Sequence, residues 1–207
     1  MKKMVLVFFV CIFQISLYGM TSQEALQTLM DGNKRFSQDK SLHSDRTSER
    51  RQELASNQAP FATILGCSDS RVAPEIIFDQ GIGDLFIVRV AGNVLGPLEL
   101  DSIEYSVLYL KSSIIMVLGH EDCGAIKAVM GGNTKDIESV AELIQPAVQA
   151  TTSDMKNRLE NTIKTNVQMV SDQLKKSPVL QKFISEKKLT VVGGYYNFHT
   201  GKVEMVK

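Results

Sequence analysis

Two short segments of the sequence concentrate residues that can bind a metal ion. Cys67, Asp69 and Arg71 stand at alternate positions, and His120 precedes Cys123 by three residues. Thiolates and imidazole are the donors that Zn²⁺ prefers in tetrahedral sites, and three protein ligands with one open position are typical of a catalytic zinc. The sequence therefore predicts a zinc site formed by Cys67, His120 and Cys123, with Asp69 or water in the fourth position.

Other interpretations of these residues remain open. A lone buried cysteine is commonly a small hydrophobic residue, and two cysteines in an oxidising compartment can form a disulfide. A structural zinc clip normally uses paired C-x-x-C motifs, which this sequence lacks. Asp69 and Arg71 can form an ordinary salt bridge. The combination of all five residues is more specific than any one of them and favours a catalytic metal site.

Both segments follow predicted buried strands. The apolar runs 61–65 and 113–118 are too short for helices, and they end just before Cys67 and His120. Ligands of parallel α/β sheets bind at the carboxyl ends of the strands. We therefore expect the two segments to meet at one sheet edge. We also expect His120 and Cys123 to share one face of the first turn of a helix.

The remaining pattern predicts an α/β fold. Strands are expected at 85–90, 189–196 and 202–206, and helices at 22–36, 97–110, 124–130 and 137–176, the last broken near Pro146 and Thr151. A helical turn is expected at 75–79, and residues 46–55 form a short helix or a loop. Strands that alternate with helices indicate a mostly parallel central β-sheet flanked by helices. An N-terminal helical arm and a C-terminal strand pair complete this prediction.

Composition excludes several classes of protein. The chain has 207 residues, 22% charged and 43% hydrophobic, and a net charge of 0. This length suits one domain with a sizeable core. A net charge of 0 argues against a protein that binds nucleic acid by neutralising many phosphates.

The first residues predict a targeting segment. Lys2 and Lys3 precede an apolar run from Met4 to Phe13, and the small residue Gly19 follows. This pattern is typical of a secretory signal, with an uncleaved anchor as the alternative. We predict a signal peptide at 1–19, a single domain at 20–207, and a periplasmic or secreted bacterial protein. Of the three cysteines, only Cys67 and Cys123 would remain after cleavage.

The two chemical motifs resemble the signature of the beta-class carbonic anhydrases. The matching segments are Cys67-Ser68-Asp69-Ser70-Arg71, His120-x-x-Cys123-Gly124, the stretch from Asp79 to Asn93, and the Gly-x-Tyr-Tyr strand with its Thr200-Gly201 turn. The resemblance covers nearly all of the predicted mature chain. Gln58, nine residues before Cys67, and the absence of tryptophan favour the plant-like, non-allosteric subgroup.

This resemblance implies an activity and a set of roles. The family catalyses reversible hydration of carbon dioxide to bicarbonate and a proton by a zinc-bound hydroxide, with one Zn²⁺ per chain. Arg71 is expected to hold Asp69 off the metal, so that Asp69 can orient the hydroxide. Gln58 and the Gly124 backbone N–H are expected to bind bicarbonate oxygens. No residue stands out as a proton shuttle. His199 lies in a turn and is expected to be a surface residue.

The resemblance also implies a homodimer or homotetramer. The active site would form at a dimer interface, and the segment Glu24–Phe36 suits an arm that embraces the partner. We expect no nucleic-acid partner and no stable membrane span after signal cleavage. Three alternatives remain: hydrolysis of carbonyl sulfide or carbon disulfide on the same site, a non-catalytic zinc protein, and a thiol redox protein. The lack of C-x-x-C spacing disfavours the last of these.

Overall fold

The computed structural model describes residues 19–153 and 156–206, so all but the last residue of the predicted signal peptide lies outside it. In this part of the chain one sheet contains β1 (Ala62–Gly66), β2 (Leu85–Arg89), β3 (Ile114–His120), β4 (Thr190–Tyr196) and β5 (Val203–Val206). The strand order is β2-β1-β3-β4-β5. The first four strands are parallel, and β5 is antiparallel to β4. The predicted α/β architecture with a C-terminal strand pair is confirmed.

The helices in the described residues are α1 (Ser22–Phe36), α2 (Ser48–Glu53), α3 (Pro74–Ile77), α4 (Pro97–Leu108), α5 (Gly124–Met130), α6 (Glu138–Ala150), α7 (Arg158–Lys175) and α8 (Pro178–Ser185). A short 3₁₀ turn lies at Ala91–Asn93. The sequence analysis did not predict α8. None of the helices in the described ranges is both long and apolar enough to span a membrane.

The predicted break at Pro146 is wrong, because α6 passes through it without interruption. Proline removes one backbone hydrogen bond of a helix. The buried face of α6, which includes Ile144 and Val148, holds the helix together across that point. The helix ends instead at Thr151, whose hydroxyl donates back to the carbonyl of Ala147 at 3.0 Å.

Helices cover both faces of the sheet. Every residue of β1 and β3 is buried. Side chains of alternate residues point to opposite faces, so Ile64 and Met116 pack beneath α1 and α3, whereas Leu65 and Val117 pack beneath α4, α7 and α8. This double cover explains why these strands are continuous apolar runs. Because β1 and β3 pair in parallel, their carboxyl ends lie beside each other.

The helix α1 packs against other elements of its own chain. A capping box begins it, since the Thr21 hydroxyl accepts from the Glu24 N–H and the Glu24 carboxylate accepts from the Thr21 N–H. Its buried Asn33 donates to the Gly201 carbonyl at 2.9 Å and accepts from the Val203 N–H at 2.8 Å. These contacts tie α1 to its own chain, and the role of Glu24–Phe36 as an arm that embraces a partner stays a prediction.

Candidate metal centre

The structure brings Cys67, His120 and Cys123 together at the carboxyl edge of the sheet. Cys67 directly follows β1, His120 is the last residue of β3, and Cys123 caps the N-terminus of α5. All three are buried, and their potential ligand atoms lie within 4.8 Å of one another. Sulfur and nitrogen donors at this spacing match a tetrahedral zinc site.

The predicted shared helix face for His120 and Cys123 is wrong. His120 continues the ladder of β3 by pairing with Tyr196 of β4. The chain then turns within two residues, helped by Asp122, which adopts a left-handed conformation with φ of 55°. Aspartate tolerates that conformation better than most residues. A strand end and a helix cap therefore supply the two ligands.

His120 is oriented for a metal by its own loop. Its Nδ1–H donates to the Glu121 carbonyl at 2.8 Å. Its Nε2 is buried and has no hydrogen-bond partner among the described residues. A buried polar atom without a partner is costly, and metal-binding histidines typically donate their other ring N–H to a carbonyl or carboxylate. The residues present therefore fit a zinc ion.

The pKa values of the two thiols are shifted in opposite directions. Hydrogen bonds from the Cys123 thiol foremost, and from the Gly92 N–H, lower the pKa of Cys67, although burial opposes them. The pKa of Cys123 is raised by its hydrogen bond to Cys67 and by burial. The protein alone therefore stabilises one negative charge here. A bound cation would favour loss of the second proton as well.

A glycine next to the site permits one of these contacts. The Gly92 N–H donates to the Cys67 Sγ at 3.2 Å. Gly92 has a φ of 70°, and a Cβ there would approach the Ile144 Cδ1 to 2.7 Å. Both the backbone conformation and the lack of space require glycine. Asn166 anchors the same turn by donating to the Gly92 carbonyl at 3.0 Å.

Asp69 and Arg71 form a bidentate pair beside the metal ligands. The Arg71 Nε donates to Asp69 Oδ1 at 2.9 Å and its Nη2 donates to Oδ2 at 2.7 Å. The Arg71 side chain foremost holds the pKa of Asp69 well below its usual range. The Asp69 Oδ2 also lies 3.9 Å from the His120 Nε2. Asp69 is thus next to the metal position, while both of its oxygens are engaged by Arg71.

Two residues that sequence reasoning did not single out hold this pair in place. Arg89 donates to the Cys67 carbonyl at 2.9 Å and to the Asp69 carbonyl at 2.6 Å, which fixes the loop after β1. The Phe198 ring lies 4.3 Å from the Arg71 guanidinium carbon and 5.3 Å from the His120 ring centre. Phe198 lies two residues after the end of β4, whose carboxyl end reaches the same sheet edge, and that position was the available signal.

The two expected substrate-binding residues lie in different places. Gly124 is the first residue of α5, next to Cys123, and the space where its Cβ would stand is open. Gln58 is exposed and precedes the opposite end of β1. The five residues of β1 alone span about 17 Å, so Gln58 does not reach the metal ligands of its own chain.

The fold and the site together define a class: a parallel α/β protein with a catalytic-type Cys-His-Cys metal centre at its strand ends. A family model described as carbonic anhydrase matches residues 62–203, which is more than half of the chain. The chain belongs to the carbonic anhydrase family, in its beta class.

Individual relatives agree with this membership. The chain is 36% identical over 188 residues to a carbonic anhydrase of Mycolicibacterium smegmatis, a match that covers 87% of this chain and 91% of the relative. A Pseudomonas aeruginosa carbonic anhydrase is 31% identical, and the match covers 86% of each chain.

Solved structures show the same fold. A Coccomyxa beta-carbonic anhydrase, determined in complex with acetazolamide, superposes with a TM-score of 0.70 at 25% identity and covers 87% of this chain and 86% of its own. A beta-carbonic anhydrase from Sordaria macrospora, described as tetrameric, gives a TM-score of 0.72 at 23% identity, with 87% and 96% covered.

Proposed function

We propose that this protein catalyses the zinc-dependent, reversible hydration of carbon dioxide to bicarbonate and a proton. The observation that carries the proposal is the juxtaposition of the Cys67–His120–Cys123 cluster with the Asp69–Arg71 pair. A purely structural zinc site has no use for a carboxylate that is held next to the metal but kept away from it.

The chain's own residues prepare the site for this reaction. Cys67, His120 and Cys123 would hold Zn²⁺, which supplies the Lewis acidity that makes water a nucleophile near neutral pH. Arg71 keeps both Asp69 oxygens in hydrogen bonds, so that the fourth position stays open. From its position beside the metal ligands, Asp69 can accept a hydrogen bond from the attacking oxygen and orient that oxygen toward carbon dioxide. The N–H of Gly124, the first residue of α5, would donate a hydrogen bond to a bicarbonate oxygen.

Zinc content measured together with hydration rate tests this proposal. Stopped-flow assays on the mature protein should detect carbon dioxide hydration, and metal analysis should give one zinc per chain. Cys123→Ser should lose most of the zinc and the activity, because a hydroxyl is a much poorer zinc ligand than a thiolate. His43→Asn, which changes an exposed histidine, is the matched control and should retain both.

Full zinc retention in Cys123→Ser would contradict the ligand assignment. A wild type that holds zinc without hydrating carbon dioxide would point to one of the alternatives. Parallel assays with carbonyl sulfide and carbon disulfide would separate a change of substrate from a non-catalytic zinc protein.

We also propose a homodimer or homotetramer in which Gln58 serves the site of the partner subunit. Two observations support this. Gln58 is too far from its own metal ligands, and exposed aromatic residues lie on the surface: Tyr109 is 70% exposed and packs against Tyr105, which in turn contacts Phe86. A patch of this kind is typical of an interface.

Complementation between two inactive variants tests the shared site. Gln58→Ala and Cys123→Ser should each be inactive or slow alone. Mixed oligomers that are refolded together should regain activity, since one hybrid site then receives an intact Gln58 and an intact ligand set. No recovery in hybrids confirmed by mass would show that Gln58 does not act across subunits.

We further propose export through a signal at 1–19, which leaves a single mature domain at 20–207. The support is the Lys2-Lys3 pair followed by the apolar run that ends before Gly19. Fractionation of a bacterium that expresses the full chain, with N-terminal sequencing of the product, tests this. A cytoplasmic product that begins at Met1 would overturn it.

A further inference from the structure

A cavity of about 580 Å³ opens next to Arg71 and extends away from the metal ligands. Arg71, Asp122 and Phe198 line the end nearest the metal, whereas Glu121 and His199 line the cavity from the loops after β3 and β4. This volume is large enough for several water molecules. The cavity therefore borders Arg71, the partner of Asp69, and extends from there to His199.

Glu121 and His199 form a pair within this cavity. The His199 Nδ1 lies 3.0 Å from each of the two Glu121 carboxylate oxygens. The Glu121 Oε2 also accepts the Phe198 N–H at 2.8 Å, and the Glu121 N–H donates to the Tyr196 carbonyl at 2.8 Å. The Phe198 N–H holds the carboxylate and the Tyr196 carbonyl holds the Glu121 backbone, so Glu121 can orient the imidazole although the His199 side chain is 82% exposed.

This arrangement prepares His199 for proton exchange. When a carboxylate accepts the Nδ1–H of a neutral histidine, it selects that tautomer and leaves Nε2 as the basic nitrogen. The other charged groups that face the cavity are carboxylates and guanidiniums, namely Asp122, Glu160, Arg71 and Arg158. Among these cavity groups, imidazole is the one whose ordinary titration falls between pH 5 and 8.

We propose that His199, oriented by Glu121, accepts the proton released by carbon dioxide hydration and passes it to buffer. The proposal rests on the proposed function. In each turnover one O–H bond of water breaks and one C–O bond forms, which yields bicarbonate. The proton moves through water in the cavity to the His199 Nε2 and then to a buffer base outside. No oxidant or reductant is involved.

The test compares zinc-loaded His199→Asn with the wild type in weak buffer. Proton release should then limit turnover, so kcat should fall by about tenfold or more, at the low end of acid–base effects. The ratio kcat/KM should stay unchanged, because it reports steps up to the formation of bicarbonate. Added imidazole should restore kcat. The control His43→Asn replaces an exposed histidine outside the cavity and should behave as wild type.

A second measurement does not depend on activity. Nitrogen-15 NMR of the histidine rings should show the Nδ1–H tautomer for neutral His199, and Glu121→Gln should weaken that preference. Zinc content should be the same in wild type and His199→Asn.

The outcomes separate this proposal from the function on which it rests. A wild type without hydration activity overturns both. An active wild type with normal kcat in His199→Asn at low buffer overturns the proton relay alone. Equal losses in kcat and kcat/KM without imidazole rescue would assign His199 a structural role and also overturn the relay.

Discussion

Two of the aspartate–arginine pairs in the described residues differ in how firmly they are held. In the first, Asp79 is completely buried and accepts from the Arg35 Nε at 2.7 Å and from the backbone N–H groups of Leu42 and His43. In the second, the Asp69 side chain is 15% exposed and, among the described residues, accepts hydrogen bonds from Arg71 alone, whose side chain is 50% exposed. The chemistry of the pairs is the same, but their surroundings are not.

The groups that lower the pKa of each aspartate explain this difference between the two pairs. Burial alone would raise the pKa of Asp79, but the N–H of Leu42, the Arg35 guanidinium and the N–H of His43 outweigh it and lower that pKa. Asp69 owes its lowered pKa mainly to the Arg71 side chain. Donors from several separate segments lock Asp79 in place. Asp69 depends on one half-exposed arginine, so a rotation of Arg71 would release it toward the metal ligands.

Removal of Arg71 should therefore affect activity, whereas removal of Arg35 should affect stability. Arg71→Ala should lower kcat/KM on the order of 10²-fold with zinc fully retained, since Asp69 is then free to occupy the fourth metal position. Its stability should change little, because Arg71 is half exposed. Arg35→Ala should leave the activity of the folded protein nearly unchanged and lower its stability instead.

Stopped-flow rates, metal analysis and urea unfolding on both variants make this comparison. If Arg71→Ala keeps wild-type activity across the pH range, Arg71 does not hold Asp69 away from the metal. If Arg35→Ala loses activity without losing stability, the two pairs do not differ as their surroundings suggest.

The Asp79 pair should appear as a pH-dependent contribution to stability. Asp79→Asn should lower the free energy of unfolding by about 2 kcal/mol near neutral pH, because an amide has one acceptor oxygen and leaves at least one of the donors from Arg35, Leu42 and His43 without a partner. The folded pKa of Asp79 lies below its unfolded value, so this stabilisation is complete above the unfolded pKa of about 3.9. It is lost as the pH falls through the lower, folded pKa.

Urea unfolding of wild type and Asp79→Asn at several pH values checks this prediction. The difference between the two proteins should be constant from neutral pH down to the unfolded pKa and should shrink below it. A difference that stays constant in stronger acid would mean that ionisation of Asp79 does not contribute to stability.

The same contrast explains what the sequence could predict. Cys67 and His120 follow apolar runs that must be buried strands, so their convergence at one sheet edge follows from the topology of parallel sheets. Asp69 and Arg71 are two residues apart, and a local pair of this kind can be recognised without a structure. For these reasons the strands, most helices and the metal-binding edge could be predicted from the sequence.

Contacts between distant segments were not accessible in this way. The pairs Arg35–Asp79 and Glu121–His199 join residues 44 and 78 positions apart, and no local periodicity relates them. The continuity of α6 through Pro146 also depends on packing against other elements, which outweighs the local preference of proline. His199 was predicted to be a surface residue from its turn-like surroundings, and its 82% exposed side chain confirms this, but its pairing with Glu121 on another strand end could not be predicted.

The smallest expected effect concerns the ring that supports Arg71. Phe198→Leu should keep the zinc and lower kcat/KM by about threefold, since the cation–π contact at 4.3 Å is worth about 0.5–1 kcal/mol at a partly exposed site. The matched control is Phe36→Leu, because the Phe36 ring also packs against Tyr196, at 6.4 Å, but lies on the side of the molecule that carries Asp79. Both variants remove a similar apolar volume, so both should lose similar stability. Only Phe198→Leu should affect hydration. Equal rates in the two variants would show that Arg71 is held by its hydrogen bonds to Asp69 without help from the ring, and the release of Asp69 would then depend on those hydrogen bonds alone.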